Sequence, residues 1–327
     1  MIKIGVVGAG YWGKNLIRNF NNLKALTAIC DNDENILNSY QKTEYTHIEF
    51  FNNFKDFINS DIDAVVISTP APTHGKLVDL SINNGKHIFV EKPLCLDVKE
   101  ALKLKQKAHL KNIKIMVGHL LQYHPSFESL LKFIKKGNIG NLKYIYSNRL
   151  SLGKIRKEEN ALWSFGPHDV SMILEIVGFL PTEVFAKGSN YLGNGIVDTA
   201  LSFLKFKNNV NSHIFISWLH PFKDQRLIVI GDKGMIAFND KKIKDKKLLY
   251  FAHKTQWKNN IPEINEAKAI PIEYDNEEPL KRECSAFIDY VYNNIEPRTN
   301  IDEGIRVLRV LNALQKSINN EKTIFIK

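Results

Sequence analysis

This chain has little that could span a membrane, bind a metal or build a disulfide framework. No apolar run approaches the ~20 residues that a bilayer-crossing helix needs, so no membrane-embedded segment is expected. Cysteine is scarce. Cys30, Cys95 and Cys284 are odd in number and widely spaced, which suits neither paired disulfides nor a zinc site. They read as buried thiols in a reducing compartment. The histidines show no HxH or HxxxH spacing, so no metal is expected. Internal repeats and low-complexity linkers are also missing. There is no basic helix with interleaved aromatics, so the net charge of +10 is not read as a nucleic-acid footprint. Its one dense cluster, Lys241-Lys242-Ile243-Lys244-Asp245-Lys246-Lys247, reads as a solvated hairpin tip. A generally positive field suits an anionic small molecule. The opening Met1-Ile2-Lys3-Ile4-Gly5 is already strand-like, so the expectation is a cytoplasmic protein with no signal peptide before the fold.

What is present is organised around the stretch from Met1 to Asp31. An apolar run, Ile4 to Val7, leads into Gly8-Ala9-Gly10-Tyr11-Trp12-Gly13, then a helical pattern of Leu16, Ile17 and Phe20. A second apolar run, Leu26 to Cys30, stops at Asp31. Gly8 permits the tight turn, Gly10 lets the backbone approach a pyrophosphate, and Gly13 lets helix and strand pack closely. The helix N-terminus supplies N–H groups and positive dipole for the phosphates, with Tyr11 and Trp12 in the same turn. Asp31 stands where a carboxylate accepts hydrogen bonds from the adenosine ribose. Asn32 follows it, with no Arg at hand for a 2′-phosphate, which favours NAD over NADP.

At 327 residues the chain has room for two domains, placed at 1–120 and 121–327. Residues 1–120 continue with apolar runs at 48–51, 64–68, 87–90 and 114–118, separated by helical patterns. That predicts an α/β domain with a parallel sheet. Unusual residues stand at the strand ends, where such sheets bind ligands: Ser68-Thr69-Pro70, Glu91-Lys92-Pro93 and Gly118-His119. From about 140, β-like runs follow one another with little helix between them, predicting an α+β domain with a mostly antiparallel sheet. One helix interrupts it, entered through Gly166-Pro167 and running over 168–176. Helices near 279–293 and 302–319 finish the chain.

Several residues could carry chemistry. Lys92 is either a salt-bridge partner at the sheet rim or a cation that steadies an oxygen as hydride leaves. His168 could act as a general base, whereas Asp169 could simply favour the positive end of its helix. Arg149, Lys154 and Arg156 suit diphosphate oxygens or a solvated loop. Trp163, Trp218 and Tyr123 could stack on a base or sugar, or belong to the core.

With those residues in view, the chain resembles the Gfo/Idh/MocA oxidoreductases. The resemblance rests on Gly8–Gly13, Ser68-Thr69-Pro70 followed by His74, Glu91-Lys92-Pro93-Leu94 and the helix bearing His168. It implies a Rossmann domain plus an open-faced antiparallel sheet, NAD as cofactor and hydride transfer on sugars or polyols. It also implies that Lys92 is the catalytic lysine and His168 the acid/base, with Asp169 a weaker catalytic candidate. Ser68, Thr69, Pro70, His74 and Glu91 would then join the glycine turn at the cofactor. His119, Tyr123 and Trp163 would join Lys92, His168, Arg149, Lys154 and Arg156 at the substrate. Two departures stand out. Ser171 and Leu174 replace the further Asp and His of sugar-alcohol dehydrogenases, and Gln122-Tyr123-His124-Pro125 lacks a common Arg.

Finer matches resemble a nucleotide-sugar 3-dehydrogenase subgroup: Gly10–Asn15, Gly118–Pro125, Tyr146–Leu150 and Ser217–Phe222. That likeness implies oxidation at C3 of UDP-N-acetylglucosamine. A PLP aminotransferase would then use the 3-keto sugar for 3-amino sugars of the lipid A type. Alternatives are the corresponding uronate or another nucleotide sugar for surface polysaccharide, or a non-catalytic dinucleotide-binding regulator. An open sheet with an exposed apolar face implies a homodimer or homotetramer.

Overall fold

The computed structural model describes residues 2–42, 45, 47–153 and 155–326, which pack as two units. The first begins with β1 (Ile4–Val7), buried throughout, which ends at Gly8 with φ of 91°, a left-handed value that glycine holds without strain. Next come α1 (Gly13–Asn22), β2 (Leu26–Cys30), α2 (Glu34–Gln41), β3 (Glu49–Phe51), α3 (Phe54–Ile58) and β4 (Ala64–Ile67). They are followed by α4 (His74–Asn83), β5 (His87–Glu91), α5 (Val98–Leu110) and β6 (Ile115–Gly118). Side-chain caps define several helix starts: Asp33, Asn53 and Asp97 accept backbone N–H groups of α2, α3 and α5. The strands form a six-stranded parallel sheet in the order β3-β2-β1-β4-β5-β6. The order reverses between β1 and β4, so the carboxyl ends of these strands flank the crevice where such sheets bind ligands.

In the second unit, α6 (Pro125–Lys135) precedes β7 (Leu142–Leu150) and α7 (Ala161–Val177). A strand series follows: β8 (Glu183–Ser189), β9 (Thr199–Lys205), β10 (Asn211–Ser217), β11 (Asp224–Gly231), β12 (Met235–Asn239) and β13 (Leu248–Phe251). The next strands, β14 (Lys254–Lys258) and β15 (Ile261–Asn265), pair as a separate hairpin, and β16 (Ile270–Pro271) returns to the edge of the main sheet. The nine-stranded sheet, closed at its other edge by β17 (Ile324–Phe325), runs β16-β13-β12-β11-β7-β10-β9-β8-β17. It is antiparallel except for the parallel β7–β10 pair. β8 and β9 alternate buried and exposed residues, yet Phe185, Leu201 and Phe203 occupy the exposed positions. The lysine-rich segment expected as a hairpin tip does connect the antiparallel β12 and β13, and residues 241–246 are exposed there.

Two sequence expectations need amendment. α7 starts at Ala161, not at Gly166-Pro167: the Asn160 side chain caps it by accepting the Trp163 N–H, and Pro167 lies inside the helix. Asp169 is therefore mid-helix, and the reading that it favours a helix start does not apply. The second amendment concerns α8 (Pro279–Asn293) and α9 (Ile301–Asn320). Residues 277–308 pack with the first unit, whereas the expected boundary at 120/121 put them in the second. Phe287 of α8 makes the reason visible, because it meets Phe20 and Phe89 edge-on, at centroid distances of 6.3 and 5.7 Å.

Cys30, Cys95 and Cys284 are buried free thiols, and burial pushes those of Cys30 and Cys95 up to about 12. No helix among the described residues is long and apolar enough to cross a membrane. Among the same residues, no group of three or more His, Cys, Asp or Glu side chains is placed to hold a metal ion.

Candidate active site

The glycine turn is built so that backbone replaces side chain. A Cβ on Gly13 would lie 1.8 Å from the Gly8 carbonyl oxygen, whereas nothing lies within 4 Å of the Cβ position at Gly10. Gly13 is thus needed for strand–helix packing, and Gly10 leaves its side open for a ligand to approach the backbone. Asp31 at the end of β2 braces the turn: Oδ2 accepts the Ala9 N–H at 2.7 Å and Oδ1 accepts the Asp33 N–H at 3.0 Å. An ionised carboxylate has further lone pairs for ribose hydroxyls. Ser68, after β4, donates to the Gly8 carbonyl at 2.7 Å. Thr69 and Thr73 share a hydroxyl–hydroxyl bond of 2.6 Å next to the exposed Pro70. Tyr11 stands out from the turn, 81% exposed, with the Lys14 ammonium over its ring. No acidic residue lies in the first turn of α1 to oppose a phosphate. These features fit a dinucleotide.

Trp12 links this turn to the next strand end. Its indole N–H donates to Glu91 Oε1 at 2.6 Å, while Glu91 Oε2 accepts the Lys92 backbone N–H at 3.3 Å. Burial pushes the Glu91 carboxyl up, opposed by the Trp12 bond and the Lys92 charge. Lys92 is half-buried at the carboxyl end of β5. His74 lies inward, with its ring nitrogens 2.7 Å from the Pro93 carbonyl and 2.8 Å from the Thr69 carbonyl.

Two residues expected at the substrate face the interior. His119 is 2% exposed, and its Nδ1 lies 2.6 Å from Glu303 Oε2. Tyr123 is buried, with its hydroxyl 3.1 Å from Thr299 Oγ1 and the Arg298 guanidinium over its ring. Beside them is a group that sequence reasoning missed. Glu283 on α8 is fully buried, and both carboxyl oxygens lack a hydrogen-bond partner among the described residues. Burial, then the nearby Glu91 and Glu303 carboxylates, push its carboxyl well above the usual range. A neutral acid is the form that this environment tolerates.

The second unit has its own buried charge. Asp169 on α7 is completely buried and holds Arg149 of β7 through two bonds, Nε to Oδ2 and Nη2 to Oδ1, the latter 3.1 Å. Ser147 donates to the same carboxylate. Arg149 was expected at a diphosphate, but two of its three nitrogens are engaged with Asp169. Removing either partner would strand a buried charge. His168, one residue before Asp169, is half-buried with Nδ1 turned inside. Arg156 is exposed and 3.2 Å from Glu159; Lys154 lies outside the described residues. Trp163 donates its indole N–H to Gln315 at 3.1 Å, and Trp218 is fully buried in the core. Lys223, between β10 and β11, was also missed. Lys223 is exposed, and partial desolvation of its ammonium pushes it down, as do the nearby Lys241 and Arg149 charges, with Asp240 in opposition. The only signal in the sequence was a lysine next to the Ser217–Phe222 stretch.

Residues 2–119 match the oxidoreductase family with an NAD-binding Rossmann fold, Gfo/Idh/MocA, and residues 127–237 match the Gfo/Idh/MocA C-terminal domain. The chain belongs to the Gfo/Idh/MocA family. Its first unit is an NAD-binding Rossmann domain, and the protein is an oxidoreductase of that type. It is similar to the uncharacterized oxidoreductase YrbE of Bacillus subtilis, at 24% identity over 97% of this chain and 94% of that one. It is also similar to the UDP-N-acetylglucosamine 3-dehydrogenase of Acidithiobacillus ferrooxidans, at 26% identity over 57% of this chain and 58% of that one. A solved structure of that enzyme from the same organism, GnnA, matches with a TM-score of 0.84 at 19% identity, covering 98% of both chains. The scyllo-inositol dehydrogenase of Lactobacillus casei, solved with NAD(H) and scyllo-inositol, matches with a TM-score of 0.81 at 21% identity over 99% of both. At these identities the structural likeness establishes the fold.

The Gfo/Idh/MocA chain should show the Glu283 charge penalty in its stability. A carboxyl whose pKa is raised on folding contributes stability that is complete below the unfolded value and is lost as pH rises towards the folded one. The slope is about 1.4 kcal/mol per pH unit. Urea unfolding of Glu283→Gln should therefore give a shallower decline between pH 5.5 and 8.5 and a variant more stable than wild type at pH 8.5. A variant less stable at pH 8.5, with an unchanged slope, contradicts a neutral Glu283.

Proposed function

We propose that the protein oxidises the C3 hydroxyl of UDP-N-acetylglucosamine with NAD⁺, and that a PLP aminotransferase consumes the 3-keto product. The observation that carries the nucleotide-sugar part is an exposed lysine, Lys223, set among Lys241, Asp240 and Arg149. Inositols and free sugars bring no anion to such a place, whereas a diphosphate would pair with the exposed Lys223 ammonium. The similarity to the Acidithiobacillus 3-dehydrogenase supports the same reading. A corresponding uronate would use the same cations for its carboxylate, and the test below distinguishes the two.

In this proposal His168 accepts the proton of the C3 hydroxyl on its imidazole. Lys92 donates a hydrogen bond to the same oxygen and stabilises its developing negative charge. NAD⁺ accepts the hydride that leaves C3. Asp169 acts through Arg149 as a positioning residue, which replaces its expected catalytic role. Asp31 and the glycine turn hold the dinucleotide, with Ser68, Thr69 and Pro70 beside it. The apolar Phe185, Leu201 and Phe203 on the exposed side of the second unit's sheet support a homo-oligomer.

Purified protein should reduce NAD⁺ with UDP-N-acetylglucosamine when an aminotransferase and glutamate draw off the ketone, and should do so poorly with the uronate or with inositols. Turnover confined to inositols would overturn the proposal, and turnover confined to the uronate would move the substrate within it. Lys92→Met should lower kcat at least a hundredfold with NAD affinity within about threefold. Lys223→Ala should raise KM for the UDP-sugar about tenfold, as loss of one charged hydrogen bond does, and leave KM for NAD unchanged. Sedimentation should give a mass of two or four chains; a monomer contradicts the oligomer.

A further inference from the structure

One buried side chain touches both loops that flank the proposed dinucleotide site in the first unit. His74 opens α4 and is 1% exposed. Its Nδ1 is 2.7 Å from the Pro93 carbonyl oxygen, and its Nε2 is 2.8 Å from the Thr69 carbonyl oxygen. Thr69 belongs to the turn after β4. Pro93 follows Lys92 directly.

Both partners are carbonyl oxygens, and a carbonyl only accepts. A neutral imidazole carries one N–H and so could meet only one of them. Its other nitrogen would then present a lone pair to an oxygen at hydrogen-bond distance with no proton between them. Two good bonds at once require both nitrogens to be protonated. The surroundings are prepared for that charge. Glu100 of α5 sets its carboxylate against the first turn of α4, in space left by Gly75: a Cβ on Gly75 would lie 2.1 Å from Glu100 Oε1. That carboxylate offsets the positive end of the α4 dipole, which otherwise disfavours a cation in the first turn. Two further titratable groups stand in the loop after β5 that holds Pro93. Cys95 is kept neutral, its thiol pushed up to about 12 by burial, and Lys92 is the second cation.

We infer that His74 is a buried imidazolium and a positioning residue, which ties the turn at Thr69 to the Lys92 loop and so fixes where the Lys92 ammonium stands. The charge state is independent of the proposed reaction; the kinetic consequence rests on it. The cross-tie differs from direct cofactor contact, the role that the family resemblance implied for His74.

The test uses the full chain loaded with NAD and labelled with 15N-histidine. At pH 7.5 the His74 ring, assigned by the signals missing from His74→Gln, should show protons on both nitrogens. A single protonated nitrogen overturns the imidazolium. In steady-state assays His74→Gln should lower kcat at least tenfold while KM for NAD changes less than threefold. An unchanged kcat, or equal losses in kcat and NAD affinity, overturns positioning. Should His74→Gln fail to fold, assignment by the coupling of the ring to its own backbone in wild type keeps the first test intact. Absence of turnover in the wild type would sink the dehydrogenase reading, and turnover surviving in Lys92→Met would remove Lys92 from the reaction; either leaves a doubly protonated His74 standing.

Discussion

The hydrogen bond from the Trp12 indole to Glu91 joins residues 79 apart in the chain and holds the first unit's ligand-facing edge together. It works because β5 and β6 pair in register, Glu91 opposite Gly118, and a side chain at 118 would crowd the carboxylate: a Cβ there would lie 3.0 Å from Oε1. The same carboxylate takes the Lys92 backbone N–H. The glycine turn and the lysine that follows β5 therefore share one anchor. Its burial makes the anchor stiff, since a carboxylate removed from water must keep its donors.

Unfavourable electrostatics gather in the same unit. Glu283 has no hydrogen-bond donor among the described residues, His119 and Glu303 meet out of solvent, and burial pushes the Glu91 carboxyl up against its donors. A core built only for stability would place apolar groups there. Such departures from local optimum are expected close to functional sites. The second unit repeats the pattern on a different footing: Asp169 and Arg149 form a buried pair, so their charge supports the geometry of β7 against α7, while Lys223 stands among Lys241, Asp240 and Arg149.

Local chemistry was legible in the sequence, and tertiary chemistry was not. The turn from Gly8 to Gly13, the strand ends at Ser68 and Glu91 and the change from parallel to antiparallel architecture all follow from spacing and periodicity. The start of α7 was misread because a proline after glycine resembles a first helical residue, while the true signal, Asn160 before Ala161-Leu162-Trp163, is short. The return of residues 277–308 to the first unit depends on Phe287 meeting Phe20 and Phe89, a contact with no local trace. Arg149 looked like a free phosphate ligand since nothing in its own segment reveals Asp169, twenty residues on, as its partner. His119 and Tyr123 were drawn to the substrate by their motif, but each turns its polar atoms to the segment around Thr299 and Glu303.

The central claim is direct hydride transfer from C3 of a UDP-sugar to NAD⁺. UDP-N-acetylglucosamine deuterated only at C3 tests it, with the reduced cofactor analysed by mass spectrometry after a single turnover. The account predicts one deuterium in the NADH formed and none in the 3-keto product. Unlabelled NADH, or deuterium lost to solvent, would contradict it.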